Sequence, residues 1–232
     1  MDLQTLIDLD RMMLSKLNGS SSLFLDQLCV TLTSPFTWMP LYLVLLYLVI
    51  RNNESISRVM LIVCCTIFCI LLSDIVVDVI VKPMVGRWRP THDPLIKDTI
   101  DVVNNIRETK YGFFSAHASN TFSITLFFCL LVKNRMFTLI MVSWSLINCY
   151  TRVYLGVHYP FDILVGLCWG AIAGSVSYLL FHFFDKHVSS DVHYISTQYT
   201  STGYSLRDIY VVVLVFSLIL AYATIRAVVT PL

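Results

Sequence analysis

The chain has 232 residues, of which 56% are hydrophobic and 13% charged, and its mean hydropathy of +0.72 excludes an ordinary water-soluble domain in favour of a membrane protein. A formal net charge of +1 excludes a polyanion-binding surface spread over the whole molecule, so negative charge has to be recognised by local clusters of Lys and Arg. No nucleic-acid partner is expected and no protein partner is inferable. Cys29, Cys64, Cys65, Cys69, Cys129, Cys149 and Cys168 all fall inside apolar runs, where small buried or lipid-facing side chains are expected rather than disulfides or metal ligands.

Residues 1–20 carry Asp2, Asp8 and Asp10 ahead of Arg11 and Lys16, the reverse of the charge order in a signal peptide. Leu3, Leu6, Ile7, Leu9, Met13, Leu14 and Leu17 approximate a helical stripe, which predicts an amphipathic helix lying along the membrane surface. Asn18-Gly19-Ser20 is a turn and N-cap signal. The apolar run 23–50, interrupted by Ser34-Pro35 and Pro40, is long for a single crossing of about 20 residues. It predicts one tilted or kinked helix, with an interfacial piece and a shorter span as the alternative. Further spans are predicted over 59–81, 118–132, 136–150, 160–184 and 209–229. The expected fold is an all-α polytopic membrane bundle of about six transmembrane helices with an N-terminal interfacial helix. Its parts are the amphipathic segment 1–20, a transmembrane core 21–184, and a polar link plus C-terminal helix over 185–232.

Six crossings place both termini on one face. Arg51, Arg58, Lys133, Arg135, Lys186 and Arg207 fall on the opposite face, which the positive-inside rule makes cytoplasmic. The polar stretch 82–113 and the break 151–159 then face outward together. The stretch 82–113 also holds Lys82, Arg87, Arg89, Lys97, Arg107 and Lys110, some of which are read as site residues rather than topology signals.

Three clusters share that outer face. The first is Lys82-Pro83-Met84-Val85-Gly86-Arg87-Trp88-Arg89-Pro90, where guanidinium forks and an ammonium suit a phosphoryl group, or alternatively form a basic belt touching anionic headgroups. The second is Gly112-Phe113-Phe114-Ser115-Ala116-His117-Ala118-Ser119, in which Ser115 caps the following helix and the free N–H groups of its first turn form an anion site. The third is Thr151-Arg152-Val153-Tyr154-Leu155-Gly156-Val157-His158-Tyr159-Pro160-Phe161-Asp162. Pro160 favours the first turn of a helix, so Asp162 stands four residues beyond His158 on the same face, placed to hold the imidazole by a hydrogen bond. Asp74 and Asp78 precede Lys82 at four-residue steps, which predicts one shared helix face turned into the bundle or a wet cavity, with a structural pairing to Lys82 or to a neighbouring helix, or else a direct part in substrate binding.

Lys-x6-Arg-Pro, then Ser-x-His, then Arg-x5-His-x3-Asp resembles the type 2 phosphatidic acid phosphatase superfamily over about residues 57–184. The family pattern falls on Lys82, Arg89, Pro90, Ser115, His117, Arg152, His158 and Asp162. Phe114-Ser115-Ala116-His117 stands where the family usually has Pro-Ser-Gly-His, and Thr151-Arg152 where it has Ser-Arg. The resemblance implies a membrane lipid phosphatase in which His158 is the nucleophile and becomes a phosphohistidine, Asp162 orients it, and His117 is the general acid and then the base. Lys82, Arg89, Arg152 and the Ser115-Ala116 segment then hold the phosphoryl oxygens. No cofactor or metal is implied: three fixed cations face the phosphate, and no carboxylate or histidine cluster has Mg²⁺ or Zn²⁺ spacing.

The partners so implied are a lipid phosphate and the bilayer lipids. The expected location is the bacterial inner membrane, with the site on the periplasmic face. Undecaprenyl diphosphate is the first expectation among family substrates, with lipid A phosphates, phosphatidylglycerol phosphate and phosphatidic acid beside it. A lipid-binding or lipid-flipping protein, and a phosphotransferase using the same site, are the alternatives.

Overall fold

The computed structural model describes residues 2–188 and 197–230, and part of the polar link expected over 185–207 therefore lies outside the described residues. The first helix, α1 (Leu3–Leu17), starts where the Asp2 carboxylate accepts the Thr5 N–H at 2.8 Å. It packs against the bundle with Asp10 and Leu14 turned inward and fully buried. The chain then turns at Gly19, whose N–H donates to the Tyr154 carbonyl at 2.9 Å.

The long apolar run becomes two helices, α2 (Leu23–Thr33) and α3 (Met39–Arg51), joined through a 3₁₀ turn at Pro35–Trp38 and bent by 69°. Prolines at the start of both the turn and α3 remove N–H donors, and the break frees carbonyls that lipid would not solvate. Trp38 Nε1 donates to the Leu32 carbonyl at 2.7 Å and Thr37 Oγ1 to the Thr31 carbonyl at 2.6 Å, so the bend is satisfied from within. The bend falls where Ser34-Pro35 and Pro40 interrupt the run.

Helix α4 (Ile56–Val85) runs 30 residues and contains a π-helical stretch at Ile75–Val81. Gly86, in the left-handed region at φ +60°, ends it. The acids do not all share the one inward face expected of them. Asp74 turns to the helix that begins at Ala116, accepting from Asn120 Nδ2 at 2.6 Å. Asp78, half exposed, pairs with Lys82 at 2.5 Å. Both acids therefore have the structural partners expected of them, on two faces rather than one.

The remaining helices are α5 (Ala116–Val132), α6 (Arg135–Tyr154), α7 (Pro160–Val188) and α8 (Leu206–Val229). Among the described residues, α4, α7 and α8 are able to cross a membrane by length and composition, and the bent α2–α3 pair is a fourth candidate when counted as one span. Helices α5 and α6 bury much of their surface, including Ser119, Thr121, Ser123, Thr125, Ser145 and Asn148. Enclosed by other helices, they do not require an uninterrupted apolar surface.

Helices α5 and α7 approach through small residues. A Cβ at Gly166, Gly170 or Gly174 would come within 2.7, 2.6 and 2.6 Å of the carbonyl oxygens of Ser115, Ser119 and Ser123, so only glycine fits this face. The contact begins beside Ser115 and places the start of α5 against the start of α7.

The two ends of the bundle differ in character. At one, the turn after α3 meets the start of α8, with Ser205 N–H donating to Asn52 Oδ1 at 2.7 Å and Asn52 Nδ2 to Asp208 at 3.0 Å. Thr202 reaches the Val132 carbonyl there at 3.0 Å, and Arg58 pairs with Asp185 at 3.0 Å. The basic turns thus gather at one end. At the other end α1, the segment 86–115 and the loop before α7 come together.

Candidate active site

Helix α6 ends at Tyr154, and the carbonyl of Arg152 accepts the N–H groups of Val157 at 3.1 Å and His158 at 3.3 Å, folding the chain back. Gly156 makes the turn at φ +67°, where a Cβ would also strike Ile100 at 2.5 Å. Pro160 then opens α7. Asp162, in its first turn, accepts the Tyr159 N–H at 3.1 Å, the arrangement by which an acid three positions into a helix closes its own start. Ser115 N–H donates to the Asp162 carbonyl at 3.1 Å, tying the second cluster to the third.

Arg89 is brought to this loop by a short antiparallel pairing. Its N–H donates to the Lys110 carbonyl at 3.0 Å, and Gly112 N–H to the Arg87 carbonyl at 2.9 Å. A Cβ at Gly112 would sit 2.7 Å from Arg89 Cγ and 3.5 Å from His158 Nδ1, so this glycine makes room for both. Arg89 Nη1 donates to the Val157 carbonyl at 2.9 Å and lies 2.7 Å from His158 Nε2.

A guanidinium has no acceptor, so Nε2 carries the lone pair and the proton belongs on Nδ1. His158 is buried at 1% exposure, and burial, then Arg89, Arg152 and Lys82, push its pKa well below the ordinary histidine value. Both effects favour the uncharged ring, whose Nε2 faces Arg89.

The expected hydrogen bond between His158 and Asp162 is not made. Nδ1 stands 3.6 Å from Asp162 Oδ2, an ion-pair distance beyond hydrogen-bond reach. The carboxylate is held elsewhere, Oδ2 by Tyr159 N–H and Oδ1 by Arg87 Nη1 at 2.6 Å.

The predicted cations converge only in part. Arg89 and Arg152, each about 2% exposed, meet on one carboxylate, that of Glu108: Oε2 lies 2.9 Å from Arg89 Nη2, and Oε1 pairs with Arg152 Nη2. Arg152 Nη1 also donates to Thr33 Oγ1 at 2.8 Å. Lys82 is turned to Asp78 instead. Burial disfavours the charge of Glu108, but Arg152 and Arg89 outweigh it and hold the carboxyl below the usual range. His117, in the first turn of α5, feels the charges of Arg152, Glu108, Arg89 and Lys82.

Ser115 Oγ accepts the Ala118 N–H at 3.3 Å, the predicted cap. Ala116 packs in a small cluster with Val77 and Phe114 and has no positive φ, so the missing glycine costs this backbone nothing.

No sequence pattern assigned roles to Glu108, Arg87 or Asp10. The signals were present: Glu108 is an acid between Arg107 and Lys110 in a site-mouth loop, Arg87 sits two residues before Arg89, and Asp10 interrupts the apolar stripe of α1.

The arrangement is that of a membrane phosphohydrolase: paired guanidiniums on an anion, beside an uncharged imidazole at one end of a helical bundle. The model of the PAP2 superfamily matches residues 62–186, which contain all three clusters. The chain is 32% identical to the lipid A 4'-phosphatase of Bacteroides thetaiotaomicron over 190 residues, covering 82% of this chain and 84% of that protein. The crystal structure of Aquifex aeolicus LpxE superposes with a TM-score of 0.55 at 21% identity, covering 74% of this chain and 93% of that one. A transmembrane PAP2-type phosphatidylglycerolphosphate phosphatase from Bacillus subtilis gives a TM-score of 0.56 at 20% identity, covering 81% and 90%. The chain belongs to the PAP2 superfamily, and it is a lipid phosphate hydrolase of the membrane.

Proposed function

We propose that the protein removes a phosphate monoester from a saccharide-headed lipid of the lipid A type, through a phosphohistidine on His158. The observation that carries the substrate class is the 32% identity to a lipid A 4'-phosphatase, extending over 84% of that protein. It favours lipid A phosphate over undecaprenyl diphosphate, the first expectation from family frequency.

In this reading the substrate phosphate displaces Glu108 and takes Arg89 and Arg152 as its bidentate partners. Nε2 of His158 attacks phosphorus, the P–O bond to the sugar breaks, and His117 gives its proton to the departing oxygen. As positive charge develops on the imidazole, Nδ1–H closes on Asp162. Water then attacks phosphorus, His117 takes its proton, the P–N bond breaks, and phosphate leaves with His158 neutral again.

The test is phosphate release by purified protein from lipid A, undecaprenyl diphosphate, phosphatidylglycerol phosphate and phosphatidic acid, with and without EDTA. The expected result is fastest release from lipid A and no loss in EDTA, since Arg89 and Arg152 supply the positive charge. Faster release from undecaprenyl diphosphate would replace the substrate, and binding without release from any lipid would favour a flipping protein.

The displacement of Glu108 has its own readout. Glu108→Gln keeps the size of the side chain and removes the charge that competes for both guanidiniums. Inhibition by orthophosphate is expected to tighten about tenfold, equivalent to about 1.4 kcal/mol. An unchanged inhibition constant would mean that phosphate does not take the place of this carboxylate.

We also propose that the bundle crosses the inner membrane six times, with the bent α2–α3 pair counted once and the site facing the periplasm. The gathering of Arg51, Arg58 and Lys133 at the opposite end supports this orientation. In a protein cleared of native cysteines, a cysteine at Lys97 is expected to react with a membrane-impermeant reagent from outside, and one at Asn134 is not. The reverse pattern would invert the topology.

A further inference from the structure

Helix α1 lies wholly before residue 62, where the family match begins, yet it supplies a buried acid to the support of the site. Asp10 is 0% exposed, as is Asp162. Arg87 stands between them, with Nη2 at 2.7 Å from Asp10 Oδ2 and Nη1 at 2.6 Å from Asp162 Oδ1. The other oxygen of Asp10 accepts the Phe161 N–H at 2.9 Å, so a carboxylate from α1 satisfies a free donor at the start of α7. The Arg87 guanidinium also lies over the Tyr159 ring, 4.2 Å from its centroid. On the far side of that ring, the Tyr159 hydroxyl donates to Asp93 at 2.7 Å, and Arg11, the residue after Asp10, pairs with the same carboxylate at 3.1 Å. The first turn of α7 is therefore gripped by consecutive residues of α1.

Two buried carboxylates sharing one guanidinium are held in a fixed relation, because moving either leaves an uncompensated charge out of water. Arg87 draws Asp162 Oδ1 away from the imidazole, and Tyr159 N–H holds Oδ2, which leaves Oδ2 as the oxygen facing His158 Nδ1. Where Asp162 sits fixes how the carboxylate meets the imidazolium formed during attack. The guanidinium that places Asp162 is itself placed by Asp10.

We propose that Asp10 is a positioning residue for the phosphatase reaction, acting through Arg87 on Asp162 and so on His158, and that α1 is part of the catalytic apparatus rather than a surface anchor. This rests on the reading of His158 as nucleophile.

Asp10→Asn keeps an acceptor for Phe161 N–H and removes the charge facing Arg87. In the full-length protein, with nitrophenyl phosphate, it is expected to lower kcat and the rate of acid-labile labelling by about 10- to 100-fold, with KM changed less than about twofold. Arg87→Gln is expected to do the same, the double variant to be no worse than Arg87→Gln alone, and Asp10→Glu to recover part of the loss. Labelling of Asp10→Asn at the parental rate, losses that multiply in the double variant, or a lower thermal midpoint with kcat per folded molecule unchanged would each overturn the proposal. Should Asp10→Asn fail to fold, Arg87→Gln decides alone: an unchanged kcat overturns it, and a reduced kcat at unchanged KM upholds it. Absence of label on the parent protein is a separate result that removes the phosphohistidine reading itself.

Discussion

Replacement of His158 by alanine is expected to abolish phosphate release from a lipid and from nitrophenyl phosphate alike, whereas replacement of His117 separates the two substrates. The reason lies in what each bond-breaking step demands. In the proposed mechanism, attack on phosphorus needs the Nε2 lone pair whatever the leaving group, and that is the nitrogen Arg89 faces in the resting protein. Proton donation matters only where the leaving oxygen is basic. A sugar alkoxide needs the proton and a nitrophenolate does not.

His117→Ala is thus expected to fail on lipid but still to form a phosphoenzyme from the nitrophenyl ester. With no base left to activate water, that phosphoenzyme accumulates and is acid-labile, as phosphoramidates are. Trapping with radiolabelled ester checks both roles. Label at His158 in His117→Ala supports them, and label persisting in His158→Ala overturns them.

The second large effect is expected at Arg89. Arg89→Ala removes half of the guanidinium pair and also the donor that faces His158 Nε2, so kcat/KM is expected to fall by about 10² to 10³. Arg89→Lys restores charge but not the fork, and is expected to recover only a small part. Lys82→Ala is the informative comparison. Its ammonium is engaged by Asp78 at 2.5 Å rather than by the group that holds Arg89 and Arg152, so a loss of about tenfold or less is expected. Steady-state kinetics on one lipid and one soluble ester measure all three variants. Equal losses at Lys82 and Arg89 would place Lys82 on the phosphate during turnover.

Much of this site was legible from residue order, because three of its requirements are local. A guanidinium beside a proline, a hydroxyl at a helix start with a histidine two residues on, and a histidine four residues ahead of an acid are patterns within one turn of chain. The helices themselves followed from apolar runs, and even the kink after Thr33 was marked by Ser34-Pro35 and Pro40.

What escaped were relations between distant segments. Glu108 meets Arg152 across 44 residues and Asp10 meets Arg87 across 77, and no periodicity links such positions. The bond expected between His158 and Asp162 failed for the same reason, since a competitor from α4's following loop, Arg87, had already claimed the carboxylate. Of the common face expected for Asp74, Asp78 and Lys82, the Asp78–Lys82 pair formed, while Asp74 turned to Asn120, 46 residues away.

The glycine face between α5 and α7 carries a consequence for how a lipid reaches the phosphate seat. With Gly166, Gly170 and Gly174 set against the carbonyls of Ser115, Ser119 and Ser123, the seam has no room for a larger side chain from α7. The main chain of α7 comes close to the carbonyls of α5 along this seam, so the two helices are expected to move as one piece. In the proposed reading, acyl chains are expected to part the bundle along some other line, with the start of α5 and the start of α7 keeping their spacing. A methyl at Gly166 would meet the Ser115 carbonyl at 2.7 Å and is expected to push apart the starts of α5 and α7, which carry His117 and Asp162.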